Sequence, residues 1–352
     1  LSLPAASIPA AFFVISPFYC FTLNLLTMIT QAIVAHQTGG PEVFALEEVA
    51  LRPPAADEVL IEHRAIGVNF IDTYFRKGLY PWTEKMPIIA GAEASGVVLE
   101  TGASVTDWKV GDRVAYTVAN GAYCQHRLIR ADRLVRLPDD ISFELAAASM
   151  LKGLTVHYLL HRSFQVRPGH GVLFHAAAGG VGLLAGQWAS QLGATVIGTV
   201  STEEKAALAR QNGYTHTINY VKEHFVEKVM EITGGEGVEV VYDSVGQDTY
   251  PYSLECLKRL GYWVCFGQSS GVIRNFQLGD LARHGSLFAT RPRLFDYIAT
   301  RQELTEAAEA LFGALRSFLK VQIHQRFRLE EAAEVHRLLE GRKTVGSTIL
   351  LP

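Results

Sequence analysis

A strand, a small-residue turn, a helix and a second strand follow one another over residues 171–205, GVLFHAAAGGVGLLAGQWASQLGATVIGTVSTEEK, and no other stretch limits the fold as strongly. Residues 171–175 have the apolar texture of a buried strand. Polar Gln187, Ser190 and Gln191 alternate with apolar positions at helical spacing, and Gly193 is the stop. Residues 194–199 supply the second strand, which completes one βαβ unit.

The turn Ala177-Ala178-Gly179-Gly180-Val181-Gly182 fits G-x-G-x-x-G with Ala in first place. Small residues suit it because a pyrophosphate must approach the backbone at a helix N-terminus. A structural turn alone would also select glycines, so the strand before and the helix after decide in favour of a dinucleotide site. At the end of the second strand, NAD-binding units usually place a carboxylate for the ribose hydroxyls. This chain has Thr199, Val200, Ser201 and Thr202, then Lys205. Hydroxyls and an ammonium welcome a 2′-phosphate that a carboxylate would repel, which points to NADPH. Glu203 and Glu204 fall in the first turn of the next helix, where acidic residues complement the dipole.

The 352 residues are enough for two domains. A net charge of −3 with mixed signs gives no basic field for nucleic acid. Cys20, Cys124, Cys256 and Cys265 show no C-x-x-C spacing, which fits a reducing cytoplasm. Residues 1–27 are apolar, lack Lys and Arg and are broken by Pro17; they match neither a signal peptide nor a spanning helix. They are expected to be an upstream extension to a fold that begins at Met28, with no membrane involvement.

From Met28 to about Met150 short strands alternate with turn residues, and the Asn120-Gly121 pair predicts a hairpin. This part reads as a small, partly open β-barrel. Near Ser142 the pattern becomes helical over 143–164. Strand and helix then alternate: helix 203–211, strand 215–219, helix 224–232, strand 238–242, helix 253–260, strand 262–266. Residues 285–290 give an edge strand, 303–318 and 329–339 two helices, and 347–351 a closing strand. The fold class is α/β, with a doubly wound parallel sheet as its second half.

With these pieces placed, the chain resembles the medium-chain dehydrogenase/reductase superfamily, and within it the zinc-independent, zeta-crystallin-like quinone oxidoreductases. The resemblance is carried by GVNFIDTYFRKGLYP (67–81), AGAEASGVV (90–98), AAASMLKGLTVHYLL (146–160), FHAAAGGVG (174–182), ITGGEGVEVVYDSVG (232–246) and LFATRP (287–292). It implies a GroES-like catalytic domain over 28–152, a Rossmann NADP-binding domain over 153–290, and a C-terminal segment, 291–352, that returns to the catalytic domain. Where the zinc enzymes have a Cys ligand, this chain reads Val68-Asn69-Phe70-Ile71-Asp72, and where they have G-H-E it reads Gly91-Ala92-Glu93. Catalytic zinc needs three protein ligands, so no metal is expected. His157 and His161 lack the Glu of a zincin motif, and His175 reads as a satisfied buried imidazole.

The resemblance places Asn69 and Tyr74 beside the nicotinamide, as the residues that fix the ring and meet a flat acceptor; Asp72 reads as a helix-capping carboxylate. Thr155 and Tyr158 are expected to line the nicotinamide side. Gly179, Gly180 and Val181 would contact the pyrophosphate, and Ser201, Lys205 and Tyr220 the 2′-phosphate. Ser244 and the run Phe266, Gly267, Gln268 and Ser269 fall at the carboxyl rim of the sheet, where ligands bind. Arg291 and Val345 complete the cofactor contacts. The function implied is NADPH-dependent reduction of a quinone in the interdomain cleft. Reduction of an alkenal or enone double bond needs much the same site, and a cofactor-binding structural or RNA-binding role is the alternative of another class. A homodimer through the sheet edge at 262–290 is the family's implication.

Overall fold

The computed structural model describes residues 28–82 and 85–352. The expectation for residues 1–27 therefore lies outside the described residues. Six parallel strands form the second half, in the spatial order His216–Asn219, Thr195–Val200, Gly171–Phe174, Val238–Asp243, Leu257–Cys265, Phe288–Thr290. The order steps outward from the Gly171–Phe174 strand in both directions. A crevice opens at that reversal beyond the carboxyl ends of the strands, where doubly wound sheets bind ligands. Val172, Leu173, Val240 and Val241 are fully buried, as expected for strands covered by helices on both faces.

The first half is a curved antiparallel sheet. Strand Glu58–Val68 pairs with Glu93–Thr101 and His126–Arg130, and Glu93–Thr101 pairs in turn with Arg113–Thr117. A smaller sheet joins Met28–Ala35 to Phe44–Leu51 and Ile88–Ile89. The chain's last strand, Ser347–Leu351, lies antiparallel on residues 66–68, and Ile323–Arg328 pairs with it in parallel. Residues from both halves of the chain thus share one sheet. Helix Phe143–Tyr158, capped by the Ser142 hydroxyl accepting from Leu145 N–H, runs through position 152 without a break and packs against both halves. Helix Arg301–Ser317 lies on it.

Two local expectations fail. The helix expected over 253–260 is only Tyr252–Glu255; the chain turns to strand at Leu257 and passes Leu260 with a φ of 65°. Parallel pairing to Val238–Asp243 claims those residues, with a register shift between Val238 and Val240. Around Asn120-Gly121 no hairpin forms, because Arg113–Thr117 and His126–Arg130 pair with different strands. The chain after Gly121 is held instead by Ala122 N–H donating to Gly91 O and Tyr123 N–H to Ala90 O, at 3.0 and 2.8 Å. Tyr123, fully buried, anchors that path.

Candidate functional site

The site has two ends. At the first, strand Gly171–Phe174 delivers the chain to Ala176, with a φ of 57°, and to Gly179, the N-cap of helix Gly180–Gln191. The leading N–H groups of a helix have no intrahelical acceptor, so those of Gly180, Val181 and Gly182 are available to an anion. A Cβ on Gly180 would lie 2.9 Å from Lys152 Cε and 3.0 Å from Gly346 O. A Cβ on Gly182 would lie 2.5 Å from Ala176 O, so the helix can meet the turn this closely only without a side chain there.

Ser201 and Tyr220 follow adjacent strands, joined by Tyr220 N–H donating to Val200 O at 3.1 Å. Lys205 sits one turn into helix Glu203–Gln211, which Thr202 caps by accepting from Lys205 N–H. Lys205 Nζ donates to Arg342 O at 3.4 Å. Arg342 was not anticipated from sequence; it arrives on the 341–346 loop, whose Gly346 N–H donates to Ala178 O at 3.4 Å. That loop carries Val345 to the glycine turn and brings the Arg342 carbonyl to Lys205, while the Arg342 guanidinium faces Asp248 at 3.9 Å. The only sequence signal was the pair of basic residues Arg342-Lys343 before the closing strand.

At the other end, Asn69 is the N-cap of helix Phe70–Arg76, and Asp72 Oδ2 accepts from Asn69 N–H at 2.9 Å, the capping role expected of it. Tyr123 O–H also donates to Asp72 Oδ2, at 2.8 Å. Arg76 donates to His336 Nδ1, which leaves His336 Nε2–H to donate to Tyr123 Oη at 3.1 Å. Burial pushes the Asp72 carboxyl up to about 7, despite the two bonds it accepts, and pushes His336 down to about 3. The Asn69 side chain donates from Nδ2 to Glu93 Oε1 at 2.7 Å, and Lys152 Nζ donates to the same oxygen at 2.9 Å. Glu93 Oε2 accepts from Leu151 N–H at 2.6 Å. Neither Glu93 nor Lys152 was singled out as a site residue. The signal was in the helix 146–158, where Lys152 stands among apolar neighbours; a buried ammonium needs a partner.

Across the crevice, Phe266 N–H and Gly267 N–H donate to Asp243 O, and Ser269 N–H donates to Ser244 O at 3.1 Å. Gln268 N–H donates to Tyr74 Oη at 3.0 Å, and Arg291 donates to Tyr80 Oη at 2.8 Å. Tyr74 is buried, edge-on to Phe70 and Tyr80, and burial raises its hydroxyl above the usual phenol range. So Tyr74, Ser244, the 266–269 loop and Arg291 come together on one side, with Asn69 at the head of the helix that carries Tyr74, while Gly179, Gly180, Val181, Ser201, Lys205, Tyr220 and Val345 gather around the glycine turn and the neighbouring strand ends. Thr155 and Tyr158 turn inward: Thr155 Oγ1–H donates to Leu151 O at 2.7 Å, and Tyr158 stacks on Tyr297 at 4.4 Å. His175 is satisfied by Thr199 and Ser253, as expected.

A zinc ion does not fit the barrel side of the crevice. Ala92 offers no donor, and both oxygens of Glu93 are engaged by Asn69, Lys152 and Leu151. The families that match are those described as "Alcohol dehydrogenase GroES-like domain", over residues 55–139, and "Zinc-binding dehydrogenase", over 180–311. The quinone oxidoreductase of Salmonella typhimurium is 51% identical over 321 residues, covering 90% of this chain and 98% of that protein. A 2-haloacrylate reductase from Burkholderia sp is 47% identical over 331 residues, 92% of this chain and 99% of its own. The crystal structure of Escherichia coli quinone oxidoreductase complexed with NADPH superposes with a TM-score of 0.89 at 50% identity, covering 92% of this chain and all of that one. Likeness of this extent, over both halves and the crevice between them, means that the chain belongs to the quinone oxidoreductase family of the medium-chain dehydrogenases/reductases.

Proposed function

We propose that this protein is an NADPH-dependent quinone reductase that takes a flat acceptor into the crevice and uses no metal. The observation that carries the reading is the phosphate end: a side-chain-free helix N-terminus at Gly180, with Lys205 one turn into the helix after the next strand and no carboxylate over 199–202. Its relatives named quinone oxidoreductase and the NADPH-bound Escherichia coli structure support it. When bound, the coenzyme supplies the reducing equivalents.

The chain's own residues bind, orient and exclude water. Backbone N–H groups at Gly180 and Val181 hold the pyrophosphate beside the Gly179 cap, and Ser201, Lys205 and Tyr220 hold the 2′-phosphate. Ser244 and Phe266, Gly267, Gln268 and Ser269 receive the carboxamide at the sheet rim, with Arg291 beside them. Thr155, Tyr158 and Val345 pack the walls. Asn69 fixes the ring or its ribose, and Tyr74 borders the acceptor. The carboxylates nearest Asn69, Asp72 and Glu93, are engaged by Tyr123, Lys152 and Leu151, which suits an acceptor protonated by solvent after reduction.

The division into 28–152, 153–290 and 291–352 is part of this proposal, supported by the pairing of Ser347–Leu351 with residues 66–68. So is a homodimer through the Phe288–Thr290 edge, where Phe288 is 50% exposed and stacks on Tyr262. Buried free Cys124, Cys256 and Cys265 support a cytoplasmic setting.

Protein starting at Met28, given NADPH with a naphthoquinone or an enone and followed by product analysis, tests the reading. Quinone turnover well above enone turnover supports it. Enone reduction alone would move the chain to the double-bond reductases, a shift the 2-haloacrylate reductase makes concrete. NADPH binding with no turnover of either acceptor would favour the structural or RNA-binding role.

A further inference from the structure

The buried Glu93–Lys152 pair lies outside every role assigned above, yet it touches Asn69 directly. Asn69, Glu93 and Lys152 come from three elements: the N-cap of helix Phe70–Arg76, the first residue of strand Glu93–Thr101, and the middle of helix Phe143–Tyr158. Gly67 admits Glu93 to this place, since a Cβ there would sit 2.3 Å from Glu93 Oε1. A carboxylate paired with an ammonium is an acceptor only. Because Glu93 Oε1 already accepts from Lys152, the one end of the Asn69 amide that can face it is the NH₂. Asn69 is held at its backbone too, through Asp72. Among the described residues no group donates to Asn69 Oδ1, and that atom is not sealed from solvent.

We propose that Glu93 and Lys152 are positioning residues that lock the Asn69 amide with its oxygen turned to the crevice, where it accepts from a donor on the bound cofactor, a ribose hydroxyl or the carboxamide NH₂. The inference rests on the NADPH reading of the site. A glutamine at 93 makes the logic explicit. An amide has one acceptor oxygen, and Leu151 N–H, 2.6 Å from Oε2, claims it. The glutamine NH₂ then faces Asn69, whose amide must turn over and present a donor to the crevice.

The test combines NADPH affinity by fluorescence titration, kcat with a naphthoquinone, and melting temperature. Glu93→Gln with Lys152→Met leaves no buried charge unpaired, and such exchanges are often neutral for stability. This double variant is expected to melt near the wild type while losing about tenfold in NADPH affinity, the size of one lost hydrogen bond. Adding Asn69→Ala to it should cost nothing more than Asn69→Ala alone. Wild-type affinity in the double variant, or losses that multiply with Asn69→Ala, would each overturn the proposal. Affinity is read without an acceptor, so an inactive protein that binds NADPH would sink the quinone reading and leave this one decided by the binding data.

Discussion

The two ends of the crevice are made of different material. The glycine turn, the proposed phosphate end, offers chiefly backbone, with Gly179, Gly180 and Gly182 keeping side chains away from a helix N-terminus. The cleft end consists of side chains, with Asn69, Glu93 and Lys152 joined across 24 and 59 residues of sequence and Asp72, Tyr123 and His336 packed behind them. Backbone can hold an anion without burying a charge. Fixing an amide in a dry wall instead requires a partner for each buried polar atom, and a broken contact there strands a charge. In stability, the first end should therefore tolerate charge changes nearby and resist added volume, while the second should do the reverse.

Breaking the pair on one side only is the harshest test of that contrast. Glu93→Ala strands the Lys152 ammonium and should cost roughly 3–5 kcal/mol in urea unfolding, whereas the charge-free double variant should recover most of it. At the other end, Gly182→Val drives a side chain at Ala176 O; a loss of about 1–3 kcal/mol is expected, with NADPH binding lost in a titration of the folded protein.

Acid should weaken the barrel half through its histidines. Burial pushes His63 and His336 each down to about 3, so below the ordinary value near 6.5 the unfolded chain takes up protons that the folded chain refuses. Their contribution is whole above that value and lost as pH falls toward 3, roughly 2 kcal/mol each at pH 5. Asp72, pushed up to about 7, works in the opposite sense and costs stability as pH rises from about 4 to 7. His63→Gln should therefore show a shallower fall in urea midpoint between pH 7 and pH 5 than the wild type. The smallest effect belongs to the exposed Lys222–Glu203 pair at 3.1 Å: Lys222→Ala should shift stability by less than about 0.5 kcal/mol, and a larger shift would mean that exposed charge matters here more than the contrast allows.

The same contrast explains what the sequence made legible. Helix Glu203–Gln211 and strand Ser347–Leu351 have the bounds read from pattern, and the parallel-sheet rhythm was recognisable, because caps, periodicity and glycine spacing are local. The glycine turn at the head of helix Gly180–Gln191 was readable for the same reason. The expected helix over 253–260 and hairpin at 120–121 failed where distant strands and backbone captured the segment, which no local propensity records. Glu93 was visible only as a residue that could not hold zinc, since its partners come from other elements. The Arg342 carbonyl that Lys205 meets comes from 137 residues away, on a loop positioned by the strand that follows it.

The most direct measurement of the central claim is the ratio of kcat/KM for NADPH to that for NADH, with a naphthoquinone as acceptor, in the wild type and in Lys205→Ala. The account predicts a strong NADPH preference that falls about tenfold in the variant, with NADH turnover unchanged. Equal use of both coenzymes by the wild type, or a preference that survives the loss of Lys205 intact, would contradict it.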